Sequence, residues 1–168
     1  VSWARRCVYE TAVTSTSENC LGKECVFYDE FHVVNARRDA ATADIVIVNL
    51  FEGVKAPSGA TGAVDHALDG AISHLIELGD IRGKAGELTT IHTFGKIAAP
   101  RVVVAGLGKP EGFDIHTVRN LSAEVIRACR KPGVTNVASI THGAGTGGLS
   151  PDSCAQAMAE GAVLGAYQ

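Results

Sequence analysis

The sequence predicts an α/β fold, a mixed sheet flanked by helices, on three observations. Short runs of β-branched residues alternate with stretches whose apolar residues recur at helical spacing. Glycine and proline fall mostly between the two kinds of segment. The strand-like runs are apolar almost throughout, as strands buried on both faces are.

The elements follow in order. Asp44-Ile-Val-Ile-Val-Asn49 reads as a strand, and the small residues 56–62 as a loop. Ala63, Ala67, Leu68, Ala71, Ile72, Leu75 and Ile76 then keep helical spacing, and Gly79 stops the helix. Residues 88–94 and 101–105 read as two strands separated by Gly95 and Pro100. Gly106-Leu-Gly-Lys-Pro110 ends the second. A helix is expected over 115–130, with Val118, Leu121, Val125, Ile126 and Cys129 on one face and Pro132-Gly133 after it. Residues 134–140 form another strand and 142–149 a glycine-rich loop. Ser150-Pro-Asp152 caps a last helix carrying Ala155, Met158, Ala159 and Val163.

Composition bounds the function. A chain of 168 residues has room for one domain with a sizeable core. Fifteen basic against 18 acidic side chains, net −3, argue against a nucleic-acid-coating surface. No apolar run approaches the roughly 18–20 residues of a membrane span, and no signal peptide opens the chain. Five cysteines, an odd number, fit a reducing, cytoplasmic setting better than a disulfide framework. The opening at Val1 rather than Met suggests a piece of something longer. A seam divides the chain: residues 1–42 hold one of the 19 glycines, three of the cysteines and the single tryptophan. That contrast predicts an atypical, partly ordered segment over 1–42 ahead of a domain over 43–168.

Three glycine-rich stretches, at 59–62, 106–108 and 143–148, sit just beyond strand ends. Glycine lets a backbone approach a ligand closely, and amides at a helix start favour anions. Gly59-Ala-Thr-Gly-Ala-Val-Asp65 could thus cradle a phosphate or ribose, or simply make tight turns. None of the three matches the P-loop or the dinucleotide fingerprint. The six histidines show no paired metal spacing, and no nucleophile stands out; Ser150 reads as a helix cap. His66 and His74 fall on roughly one helix face, and Asp65 and Asp69 suit a helix start. Cys7, Cys20 and Cys25 give three thiols where an iron–sulfur cluster normally takes four. Cys129 and Cys154 fall in helices at positions that suit burial.

Several motifs together carry a resemblance. They are Ala43-Asp-Ile-Val-Ile-Val-Asn-Leu-Phe-Glu-Gly53, Gly59-Ala-Thr-Gly-Ala-Val-Asp65, Gly83-Lys-Ala-Gly-Glu87, Arg101-Val-Val-Val-Ala-Gly-Leu-Gly-Lys109, Thr141-His-Gly-Ala-Gly-Thr-Gly-Gly148 and Glu160-Gly-Ala-Val-Leu-Gly-Ala-Tyr167. In this order they closely resemble the amino-terminal domain of the leucyl (cytosol) aminopeptidases, peptidase family M17. The resemblance implies a macro-domain-like sheet and helices. It also implies a separate carboxy-terminal domain that carries two divalent metals, such as zinc or manganese, and the peptidase chemistry. That domain's Asn-Thr-Asp-Ala-Glu-Gly-Arg motif has no counterpart here, so no catalytic and no metal-binding residue is expected in this chain. The chain stops where the linker to the catalytic domain would begin. The implied partners are that domain and, in the complete enzyme, further copies of the chain.

Two alternatives stand beside this reading. Macro domains that bind ADP-ribose use a strand ending in Asn and two glycine loops. Asn49, Gly59, Gly62, Asp65, Gly143, Gly145, Gly147 and Gly148 are similarly placed and form the candidate ligand site. Separately, Ser17-Glu-Asn-Cys-Leu-Gly-Lys-Glu-Cys25, Phe27-Tyr-Asp29 and residues 36–49 resemble the iron–sulfur region of XPD-like DNA helicases. Phe31 stands there where a cysteine is expected, and Leu50 where a histidine is. That second resemblance implies a helix through 32–41, whereas the aminopeptidase resemblance implies a strand at 31–35.

Overall fold

The computed structural model describes residues 43–130, 134–143 and 148–167, and the backbone course of 9–15 and 29–35. At its centre lies β3 (Ile45–Phe51), with parallel neighbours β5 (Arg101–Gly108) and β6 (Asn136–Ile140). β4 (Leu88–His92) closes one side antiparallel to β5. β1 (Tyr9–Ser15) lies antiparallel to β6, and β2 (Asp29–Asn35) antiparallel to β1. The sheet is mixed and six-stranded, in the order β2-β1-β6-β3-β5-β4. Residues 32–35 are therefore strand and not helix, as the aminopeptidase resemblance implies; residues 36–42 lie outside the described residues. The strand β1 was not expected: Tyr-Glu-Thr-Ala-Val-Thr-Ser lacks the apolar density of the central strands.

Alternation along the central strands builds two cores. Ile45, Ile47 and Phe51 of β3, with Val103, Ala105 and Leu107 of β5, pack under α3 (Ile115–Cys129) and α4 (Pro151–Ala166). Val48, Leu50, Val102 and Val104 point the other way, toward Leu68, Ile72 and Ile81 around α1 (Gly59–Ala67) and α2 (Ala71–Leu78). Because a strand sends successive side chains to opposite faces, a strand between two helical layers must be apolar throughout. Val48, Val102 and Ala105 are fully buried, so the strand-like runs did report a three-layer arrangement.

Several boundaries differ from expectation for local reasons. The single helix expected from Ala63 begins instead at Gly59 and breaks into α1 and α2. Asp69 and Gly70 adopt positive φ (56° and 80°), which ends α1 and turns the chain. Asp65 Oδ1 then accepts the amides of Ile72 and Ser73 at 2.8 and 3.0 Å, so a residue of α1 caps α2. His66 and His74 consequently sit on separate helices rather than on one face. β4 is shorter than expected, ending at His92, and β6 begins at Asn136.

The strand β5 runs three residues past its expected end, through Gly106 to Gly108. Its glycines belong to the strand because the 83–85 loop lies against it: a Cβ on Gly106 would meet Lys84 O at 2.0 Å. Gly106 N–H donates to Glu87 O, and Gly108 N–H to Gly83 O.

Both later helices carry N-terminal caps, the one at Ser150 as expected and the one at Asp114 not read from the sequence. Asp114 Oδ1 accepts from Thr117 N at 2.7 Å, and Ser150 Oγ from Ser153 N at 3.2 Å. α3 and α4 then pack closely through glycine: a Cβ on Gly161 would lie 2.1 Å from Arg119 O, and one on Gly165 2.5 Å from Ala123 O. Arg119 and Glu160 form an ion pair along the same seam. Cys129 and Cys154 are buried along the two helices.

Candidate functional site

In open α/β sheets, ligands bind outside the carboxyl ends of the strands, where neighbouring strands send their connections to opposite faces. β3 and β6 make such a point: they run parallel, the chain leaves β3 for α1 on one face, and it leaves β6 for α4 on the other. Asn49, near the end of β3, and His142, two residues past β6, meet there. Asn49 Nδ2 lies 3.3 Å from His142 Nδ1. The carbonyl of Asn49 accepts the Thr61 hydroxyl at 2.8 Å, which fixes the first turn of α1 against the strand. His142 N–H donates to Met158 Sδ at 3.2 Å, which fixes the same point against α4.

The chemistry of this cluster is restrained. His142 is 1% exposed, and burial pushes its pKa down to about 4, so the ring is neutral near pH 7. An Asn side-chain nitrogen can only donate, so Nδ1 is the acceptor and the ring proton sits on Nε2. Thr61 is buried with its hydroxyl engaged. Beside the cluster, the rings of Phe51 and Phe113 meet edge to face at 5.1 Å. Phe113 also covers Gly143, where a Cβ would fall 2.0 Å from the ring and φ is +75°. These side chains and bonds pack the ends of β3 and β6 against α1 and α4. At the opposite end of β3, Asp44 accepts the amides of Thr135 and Asn136, and these bonds hold its carboxyl below the usual range.

The candidate residues divide accordingly. Asn49 and Gly143 reach the crevice, while Gly59 and Gly62 flank Thr61 in α1. Gly62 is required for packing, since a Cβ there would meet Pro57 O at 2.8 Å. Asp65 is spent on capping α2 and does not face the crevice as a ligand group. Gly148 has φ +71°; Gly145 and Gly147 lie outside the described residues, as do Cys7, Cys20 and Cys25. His142 and Thr61 are the members of the cluster that sequence reasoning passed over. The position of His142 directly before the glycine loop was the available signal. Among the described residues, no group of three His, Cys, Asp or Glu could hold a metal ion.

Fold and site define a three-layer α/β domain with Asn49, Thr61 and His142 clustered at the carboxyl ends of β3 and β6. Residues 47–168 match the family model described as the cytosol aminopeptidase family, N-terminal domain, and the chain belongs to that family. Among curated relatives, the probable cytosol aminopeptidase of Alkaliphilus metalliredigens (strain QYMF) is 33% identical over 139 residues, 83% of this chain and 28% of that protein. The probable cytosol aminopeptidase of Geobacter sulfurreducens is 35% identical over 104 residues, 62% of this chain and 20% of that protein. Among solved structures, the bottromycin maturation enzyme BotP superposes with a TM-score of 0.51 at 22% identity, over 76% of this chain and 24% of that one. The chain thus spans about a quarter of the length of the proteins it matches. A match over 83% of the chain takes in β2, which places Phe31-His-Val-Val-Asn35 with the aminopeptidase resemblance. No helix among the described residues is long and apolar enough to cross a membrane.

Proposed function

We propose that this chain is the non-catalytic amino-terminal domain of a leucyl-aminopeptidase-like metallo-exopeptidase, a macro-like module that supports assembly and substrate access for a separate catalytic domain. The observation that carries the reading is the family match: it covers 47–168 with the model of the N-terminal domain specifically. The hydrogen bonding at the strand ends supports it. The Asn49 side-chain amide meets His142 Nδ1, the Thr61 hydroxyl donates to the Asn49 carbonyl, and the Asp65 carboxylate is held by Ile72 and Ser73 of α2. Under this reading two divalent metals, zinc or manganese, belong to the catalytic domain, where they polarise the scissile carbonyl and activate water. The partners are that domain and, in the complete cytoplasmic enzyme, further copies of the chain.

The competing reading, a module for ADP-ribose or a related nucleotide, needs the Asn49 amide and the Gly59–Gly62 turn free to face a ligand. The two readings part at these bonds, since the Asn49 and Thr61 bonds open to admit a nucleotide in one and stay closed in the other. The deciding experiment pairs isothermal titration with ADP-ribose and turnover of leucine p-nitroanilide with manganese on one sample. The proposal expects neither heat nor turnover. Micromolar binding would replace it with the nucleotide reading, and metal-dependent turnover by the chain alone would refute both.

A further inference from the structure

β4 forms one edge of the sheet: β5 flanks it on one side, and no described strand pairs with the other. The direction of its free groups follows from the ladder. Gly106 N–H donates to Glu87 O and Thr93 N–H to Pro100 O, so Glu87 turns its carbonyl and Thr93 its amide toward β5. In an antiparallel pair this orientation alternates along the strand. Leu88, Thr90 and His92 therefore direct both N–H and C=O outward, and Thr90 and His92 are exposed. Native edges are normally blunted by charged side chains, proline or a bulge. Leu88-Thr-Thr-Ile-His92 has no Lys, Arg, Asp, Glu or Pro, and its register with β5 runs without a shift. The turn beyond it presents Phe94, 91% exposed, at a φ of +50° that a bulky side chain rarely adopts. That turn is held in place. The buried Thr93 hydroxyl donates to Ala99 O at 2.7 Å, Lys96 N–H donates to Thr93 O at 3.0 Å, and Lys96 Nζ pairs with Asp69 at 3.0 Å. The Phe94 ring lies beside His92, with centroids 6.3 Å apart.

We propose that the open edge of β4 is a self-association surface, on which a second copy of this chain adds its own β4 antiparallel about a two-fold axis at Thr90. Taking the partner to be a further copy rests on the function proposed above; the self-complementarity of the edge argues for it independently. With Thr90 opposite Thr90 of the copy, Leu88 falls opposite His92. Each such pair exchanges two hydrogen bonds, so the outward N–H and C=O groups of all three residues are satisfied. Because the strand has no Lys, Arg, Asp or Glu, no such like charges oppose each other across the axis. Leu88, Thr90 and His92 share one face of the sheet, the face on which Leu88 meets the core under α3 and α4. On that face Phe94, two residues beyond His92, comes diagonally to Leu88 of the copy, a separation that aromatic side chains span. The pairing covers the bare edge and gives each outward-held Phe94 ring a half-buried apolar neighbour. One isologous contact also closes the assembly at two copies and leaves neither β4 edge open.

An edge this short, with one aromatic anchor, is a small interface, so association is expected to be weak and concentration-dependent. The test is sedimentation equilibrium of the full chain from about 10 μM to about 1 mM, with amide hydrogen exchange measured at both ends of that range. The mass is expected to rise toward that of two chains. Exchange at Leu88, Thr90 and His92 should slow as it does so, while Thr89 and Ile91 stay protected throughout. Thr90→Lys sets two ammonium groups face to face and is expected to weaken association by roughly tenfold or more, with Tm unchanged. Thr90→Pro deletes an outward N–H without removing a bond to β5, and should do the same. Should Thr90→Pro fail to fold, Thr90→Lys at this exposed position decides alone. A monomer over the whole range overturns the proposal. So does association that neither variant weakens, which would place the contact on another face. Slow exchange at Leu88, Thr90 and His92 in the dilute monomer also overturns it, because the edge would then be covered within the chain. ADP-ribose heat, not sedimentation, decides the function proposed above, so a monomeric chain that binds no nucleotide refutes the β4 pairing alone.

Discussion

Replacing His142 by Gln tests the central claim about the strand-end cluster, that a neutral buried imidazole holds it together. The ring's pKa falls from 6.5 in an unfolded chain to about 4 in the folded one. Between these values the unfolded state binds a proton that the folded state refuses, so stability must fall as the pH is lowered. Above pH 6.5 the ring is neutral in both states and contributes no pH dependence. The loss begins as the pH drops through 6.5 and is complete below about 4. At about 1.4 kcal/mol per pH unit, the gap corresponds to about 3 kcal/mol in total, of which about 2 kcal/mol is lost by pH 5. Asp44 works in a separate window. Its lowered carboxyl pKa stabilises the fold above its ordinary 3.8, and that contribution disappears only at more acid pH.

The assay is urea unfolding of wild type and His142→Gln at pH 7, 6 and 5. A Gln side-chain oxygen can still accept from Asn49 Nδ2 but cannot take up a proton. The wild type is expected to lose about 2 kcal/mol more than the variant between pH 7 and 5. Parallel losses in the two proteins would show that His142 is not buried as a neutral ring, and the account of the bonded cluster at the strand ends would fall with it.

Two further predictions concern packing. Gly161→Ala places a methyl 2.1 Å from Arg119 O, so α3 and α4 must separate; the expected cost is about 1–3 kcal/mol, read by urea midpoint at unchanged m-value. Asp65→Ala removes the side chain that accepts the amides of Ile72 and Ser73. It should cost about 1–2 kcal/mol and speed amide exchange at those two residues before the rest of the core.

What was legible in the sequence was whatever depends on neighbours along the chain. The apolar runs of β3 and β5 announced strands buried on both faces, and the helical spacing of Val118, Leu121, Val125 and Cys129 announced α3 with its buried face. The Ser150-Pro151 cap was equally readable, because capping is settled within one turn. The pattern of motifs in order was enough to give the family over three-quarters of the chain.

Tertiary structure decided the rest. Gly106 reads as a strand terminator in isolation, yet it continues β5 because the 83–85 loop comes to lie against it. Asp65 looks like an acid in a helix start or a ligand group, and only the reversal at Asp69 and Gly70 turns it into the cap of the next helix. His142 was unremarked because its burial, tautomer and neutrality all depend on Asn49, 93 residues away in sequence. Local patterning fixes which segments become strands and helices. Which polar group satisfies which depends on chain segments that meet only when those elements pack, and the role of each site residue is set there.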